Sequence, residues 1–315
     1  MDHSAASELI DPAARFTAMF SRPQHPAATG ADFAAVNSQM PSSPDYKRPK
    51  ENITMTHATV STHTENTALS VKEITLDQPW EWLGKGWKDL TSAPHFSLLY
   101  GAVFVLVSYG LTLGLMYRDL FFIVPPLAAG FFLLAPMLGI GLYQISDSLE
   151  RGQEARFCNA LTAWKRNEVH LSAMAVALVL VLLAWMLIAV VVFALLYHRP
   201  VPTWENFIPE VFLSGDNPLF VFGGTLAGGI IAAFTFTISA ITVPVLMDRQ
   251  IDVVSAMQTS VQAVRTNWRA MALWACLIVM FVGVGIATFY IGLIVTMPLV
   301  GHATWHAYRD LVSRN

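Results

Sequence analysis

Charge is scarce in this chain: Asp, Glu, Lys and Arg together supply 13% of its 315 residues, against 54% hydrophobic ones. A soluble domain carries roughly a quarter charged residues to cover its surface, so this composition excludes one and, with a mean hydropathy of +0.49, calls for lipid as the solvent. No basic stretch compensates. The net charge is -3 and the pI is near 6.3, which removes nucleic acid as a partner, because phosphate binding needs a concentrated basic face. Cysteine is nearly missing, with Cys158 in a polar stretch and Cys276 inside an apolar run; two such residues make neither a disulfide framework nor a zinc spacing. Also absent are a Gly-rich phosphate loop, a nucleophile elbow, a Ser/His/Asp arrangement and a carboxylate pair set for acid-base work. Asp147 and Glu150, and Asp248 and Asp252, stand at span ends, where solvated helix faces and capping account for them. The reading is therefore non-enzymatic, with no cofactor.

Residues 1–76 have few large apolar side chains and are rich in Ser, Thr, Ala, Pro and His. Such a segment cannot bury enough apolar surface to fold, and a disordered polar tail is expected. It also lacks the basic n-region and apolar h-region of a signal peptide.

What is present is a set of long apolar runs. About twenty apolar residues cross a hydrocarbon core, and the sequence predicts spans at about 97–117, 120–145, 170–197, 219–247, 270–288 and 290–308. The last two come from one region too long for a single crossing, broken near Gly283-Val-Gly-Ile-Ala-Thr288. The expected fold is all-α: a polytopic bundle of six spans over residues 77–312, with interfacial amphipathic helices. Lys and Arg concentrate on one side of this arrangement: Lys85 and Lys88 precede the first span, Arg151, Arg156, Lys165 and Arg166 follow the second, Arg249, Arg265 and Arg269 follow the fourth, and Arg309 and Arg314 follow the last. The positive-inside rule makes that side, and both termini, cytoplasmic.

Asp77 is placed to cap a helix in which Pro79 occupies the first turn. Trp80, Leu83, Trp87 and Leu90 share one face of it, the pattern of a helix lying among headgroups or packed on protein. Two later segments, Pro136 to Asn167 and Pro244 to Asn267, repeat an order: a proline within a span, an acidic residue at its exit, an amphipathic helix, then Asn before the next span. The amphipathic stripes are Phe157, Leu161 and Trp164 in the first, and Val254, Met257, Val261, Val264 and Trp268 in the second. Pro298 to Asp310 is a truncated third copy. Three helical hairpins in one bundle are expected.

Intramembrane charges, which proton-coupled transporters use, are essentially missing from the spans. Pro125-Pro126, Pro136, Pro244 and Pro298 either kink helices or open backbone carbonyls at a binding site. Gly223-Gly224 and Gly228-Gly229 permit close helix approach, within the chain or to a second copy. The sharpest polar motif is Gly301-His-Ala-Thr-Trp-His-Ala-Tyr-Arg-Asp310, where His302 and His306 stand four apart on one face. Two imidazoles so spaced can chelate a metal, and the topology puts His95 and His170 at the same membrane level. The alternative is that these imidazoles hydrogen-bond to neighbours beside Trp305 and Tyr308.

Pro79-Trp-Glu-Trp-Leu-Gly-Lys-Gly-Trp-Lys-Asp-Leu90, Pro125-Pro-Leu-Ala-Ala-Gly130, Gly141-Leu-Tyr143, Leu149-Glu-Arg-Gly152 and the 301–310 motif together resemble the domain of unknown function 2189 family, over about residues 76–312. The resemblance implies a multi-pass protein of the bacterial inner membrane and transfers no functional residue. Some family members carry the label of a cytochrome c oxidase subunit, but catalytic haem and copper sites need histidines deep within several spans, and here they cluster at membrane edges.

Three functions remain: a non-enzymatic membrane protein acting through partner or lipid contacts at its elbows, a transporter or channel for a small or lipid-like solute, and a metal- or haem-binding respiratory accessory protein. The bilayer is the partner in all of them, with another membrane protein or a second copy as further partners.

Overall fold

The computed structural model describes residues 69–199, 206 and 209–313, and the tail expectation for residues 1–68 lies outside them. Within the described residues the chain forms α1 (Gln78–Ser92), α2 (Pro94–Tyr117), α3 (Val124–Leu138), α4 (Ile140–Glu150), α5 (Phe157–Thr162), α6 (Glu168–Leu196), α7 (Pro218–Ser239), α8 (Thr242–Asp248), α9 (Val253–Thr266), α10 (Trp268–Ala287) and α11 (Leu293–Leu311). The all-helical bundle expected from the apolar runs is what forms.

Among the described residues, five segments are long and apolar enough to cross a membrane by length and composition: Pro94–Tyr117, Phe121–Glu150, Cys158–Leu196, Pro218–Asp248 and Trp268–Ala287. Their outer faces keep large apolar side chains uncovered, as Leu180, Leu183 and Leu187 do on α6. The sixth predicted crossing is a different object. After a turn in which Phe289 and Tyr290 take φ of 53° and 65°, α11 runs back along the bundle, but its last three turns carry His302, His306, Arg309 and Asp310. It is largely enclosed, packed between α1, α2, α4 and α10.

The second and fourth crossings are each broken. α3 passes to α4 at Gly139, three residues after Pro136, and α7 passes to α8 at Ala240-Ile241. The ring of Pro244 clashes with the carbonyl four residues earlier, that of Ala240, so the break falls where the proline dictates. Pro244 itself is buried, and its role is to kink. On α7, a Cβ at Gly223 or Gly228 would meet Leu196 or Trp185 of α6, so this glycine stripe serves packing within the chain.

Order begins earlier than the sequence implies. Residues 69–76 are tied into the fold: Val71 bridges Val312, the Lys72 amide donates to the Leu311 carbonyl at 2.8 Å, and the Ile74 amide donates to Asn267 Oδ1 at 2.8 Å. Local composition could not reveal this, because the partners lie about two hundred residues away in sequence. Asp77 also departs from expectation. Its backbone is already helical, its side chain makes no cap bond, and its carbonyl accepts the first helical hydrogen bonds from Trp80 and Glu81.

The two internal repeats share more than order. In the first elbow Ala160, Ala163 and Asn167 are buried; in the second Ser260, Ala263 and Asn267 occupy the corresponding positions and are buried too. Each asparagine ties its elbow to a different chain segment. Asn167 donates to the carbonyls of Leu246 and Ile251, and Asn267 donates to that of Lys72.

Candidate functional site

The end of the bundle where α4, α8 and α11 terminate gathers nearly all of its buried charge. The gathering follows from helix period: at 3.6 residues per turn the 301–310 motif sends polar side chains all round α11, and each meets a neighbour. His302 is fully buried, with Nε2 at 2.9 Å from Ser97 Oγ on α2 and Nδ1 at 2.8 Å from Ser146 Oγ on α4. His306 Nε2 lies 2.8 Å from Asp89 of α1. Trp305 donates its indole N–H to Glu150 at 3.2 Å. Tyr308 donates to Asp248 at 2.6 Å. Asp310 accepts from Trp82 Nε1 at 3.0 Å and from Lys85 Nζ at 2.8 Å.

Arginines lace the three helix ends together. Arg309 pairs with Glu150 at the end of α4 and Asp248 at the end of α8, at 3.1 and 3.0 Å, with its guanidinium over the Trp305 and Tyr308 rings. Arg151 and Arg166 both reach Asp147 at 2.8 Å, and Arg151 also approaches Asp248 at 3.6 Å. The Asp147 side chain is 4% exposed and that of Asp248 11%. These acids are therefore paired charges inside a network, which corrects their reading as solvated helix ends. Removing one member of a buried pair is destabilising by about 3–5 kcal/mol, since the other charge stays desolvated. Asp252 does act as a cap, accepting from the Val254 and Ser255 amides; the Ser255 hydroxyl bond, then the Ser255 amide, hold its carboxyl below the usual range.

The four predicted histidines do not assemble. His302 and His306 share α11 and the polar end, but both nitrogens of His302 already face hydroxyls and His306 faces a carboxylate. His95 is exposed at the start of α2, and His170 lines a separate polar groove with Lys165, Gln250 and Asp252. Among the described residues no three His, Cys, Asp or Glu side chains form a group able to hold a metal ion. The geometry gives the motif the work of tying α11 to α1, α2, α4 and α8.

Several partners were not singled out from sequence: Ser97, Ser146, Asp89 and Trp82. The first two carried a usable signal, since a hydroxyl inside an apolar span needs a hydrogen-bond partner. Trp82 also stacks edge-on against Trp274 of α10, with ring centroids 5.5 Å apart.

α1 reaches α11 through a close crossing. A Cβ at Gly86 would lie 2.8 Å from the Ala303 amide nitrogen, so only glycine allows this approach. The protein face of α1 is Pro79, Trp82, Leu83, Gly86 and Leu90. Trp80 and Trp87 from the predicted stripe point outward instead, 55% and 52% exposed.

A second feature is an apolar cavity of about 560 Å³ between α2 and α3, with Phe104, Leu111, Leu127, Phe131 and Leu182 among its walls. It reaches Met137 and Leu138 beside Pro136.

A family described as predicted integral membrane protein (DUF2189) matches residues 123–248. That interval runs from the start of α3 to the end of α8, shorter than the 76–312 the motifs suggest. It holds Ser146, Asp147, Glu150, Arg166 and Asp248, whereas α1 and α11 lie outside it. No curated protein and no solved structure is detectably similar to this chain.

Proposed function

We propose that this integral membrane protein is non-enzymatic, lies in the bacterial cytoplasmic membrane with its polar end cytoplasmic, and works through contacts of its elbows with lipid headgroups or a partner protein. The observation that carries the reading is the division of labour at the polar end. The charged side chains of α11 are consumed by internal partners, while the elbows leave apolar side chains uncovered: Leu161 and Val254 are each 57% exposed. The Lys and Arg distribution supports the sidedness. So does the pairing of Arg309 with Glu150 and Asp248, which brings the end of α11 to the ends of the second and fourth crossings.

Hydrogen–deuterium exchange of the full chain in lipid nanodiscs and in detergent tests the contact surface. Protection of α5, α9 and the outer face of α1 is expected to rise on return to lipid, with α11 slow in both media. Equal exchange of the elbows in the two media overturns the reading. A periplasm-only reporter fused after Asn315 that proved active would overturn the sidedness.

The cavity between α2 and α3 favours a second reading, the handling of a lipid-like solute. Its volume falls in the range of small-molecule sites and its walls are apolar. Co-purified acyl-chain molecules that disappear on Leu127→Trp support it; a chain that purifies without them, and whose stability Leu127→Trp raises, removes it.

A further inference from the structure

Three tryptophans are uncovered near the junction of an elbow with the following crossing, and each is followed in sequence by a cation. Trp87 is 52% exposed and precedes Lys88; Trp164 is 44% exposed and precedes Lys165; Trp268 is 62% exposed and precedes Arg269. The Lys165 ammonium lies 5.9 Å from the Trp164 ring centroid, and the Arg269 guanidinium 5.3 Å from that of Trp268. All three cations are exposed. None has a carboxylate partner among the described residues, unlike Lys85, Arg151, Arg166 and Arg309 of the network.

The elbow α9 also meets the protein with small side chains. On α9 the fully buried side is small and largely polar, Ser255, Ala256, Thr259, Ser260 and Ala263, with Met257 and Val264 packed partly buried against the core, while Val254 is uncovered beside Gln258, Gln262 and Arg265. Beside a bilayer the uncovered Val254 and the three tryptophans meet the interface, with the cations at phosphate level, where Trp also partitions.

We infer that the three Trp–cation pairs are binding sites for anionic phospholipid headgroups, one at each elbow. The inference rests on the proposed contact role of the elbows and names its partner. A phosphodiester monoanion complements a Lys or Arg without a carboxylate partner, and at Lys165 and Arg269 the neighbouring ring face also helps to hold the cation. The repetition at three elbows makes it a collar rather than an isolated surface charge.

The test uses the full chain in nanodiscs and counts retained lipid by native mass spectrometry, with phosphatidylglycerol and phosphatidylcholine in competition. Wild type is expected to retain phosphatidylglycerol preferentially. Lys88→Gln, Lys165→Gln and Arg269→Gln should each weaken one site by about fivefold, the effect of one surface cation on anionic-lipid binding, and the triple variant should lose the preference. Arg118→Gln, an exposed cation at the other end of α2, controls for net charge and should change nothing. Unchanged melting temperatures confirm that the exposed substitutions leave the fold intact. A triple variant that keeps the preference, or an Arg118→Gln effect equal to that of each elbow variant, overturns the inference. If elbow exchange protection is the same in purely zwitterionic nanodiscs as in anionic ones while the preference is absent, the lipid assignment falls and the contact role stands.

Discussion

α1 and α9 are both amphipathic elbows of similar length, yet the side chains they bury most deeply differ in kind. α1 turns Trp82, Leu83 and Leu90 into the protein, whereas α9 turns in Ser255, Thr259 and Ser260 and leaves Val254 outside. The difference lies in what each helix meets. α1 crosses α11 closely at Gly86, so large side chains on either side of that contact have a core to fill. α9 lies against α7 and α8 through hydroxyls: Ser260 Oγ donates to the Thr237 carbonyl at 3.0 Å, and Thr242 Oγ1 lies 3.4 Å from that of Ala256. An amphipathic pattern in a membrane protein therefore identifies two faces without saying which one is protein, because the medium outside can be as apolar as the core.

The comparison can be broken most sharply at Trp82. Trp82→Ala should cost about 3–5 kcal/mol, as removal of a fully buried aromatic does, read as a large fall in the thermal unfolding midpoint in detergent; the same truncation at exposed Trp80 should stay within about 0.5 kcal/mol. Equal effects would mean that α1 is held by its outer face. On α9 the expected order is inverted: Ser260→Leu overpacks the inner face at a cost of about 1–3 kcal/mol, while Val254→Ser leaves the midpoint nearly unchanged.

At the junction of α11 with its neighbours, His302→Ala removes the partner shared by Ser97 and Ser146 and should cost about 1–3 kcal/mol. Metal analysis and an absorption spectrum of wild type alongside this variant and His302→Ala with His306→Ala decide between packing and ligation. The packing geometry predicts lost stability without a lost metal or haem band; a stoichiometric band that vanishes in the double variant would assign these histidines to ligation.

The smallest effect belongs to the cap of α9. Asp252→Ala should lower stability by about 1 kcal/mol at neutral pH. Because the folded carboxyl titrates below its unfolded value, chiefly through Ser255, its contribution is present above the unfolded carboxylate range near 4 and is lost as pH falls through the depressed folded value. The difference between Asp252→Ala and wild type should accordingly close on acidification; a constant difference down to about pH 2 would show that the cap does not act through charge.

Much of the fold was legible because lipid imposes a length and a composition that can be counted along the chain. Four of the five qualifying crossings follow directly from uninterrupted apolar runs, and the fifth from a run too long for one helix. α11 resisted the same treatment. Its first half is apolar, its second half carries two histidines, Arg309 and Asp310, and the structure alone makes this mixture intelligible by surrounding it with Ser97, Ser146, Asp89, Glu150 and Asp248. The candidate site was half visible: the 301–310 motif stood out, but its partners are single hydroxyls and carboxylates on four other helices, and nothing in their local sequence marks them as facing His302 or Arg309.

By itself the sequence determined the solvent, the helical class, the elbows and the side on which basic residues gather, since these depend on composition and period within one stretch of chain. Only the tertiary structure decided which face of each elbow is protein, that residues 70–72 pair with the end of α11, and that the buried charges close into one network. Those outcomes depend on contacts between residues tens to hundreds of positions apart, where the free energy of a side chain is set by what it touches rather than by what precedes it.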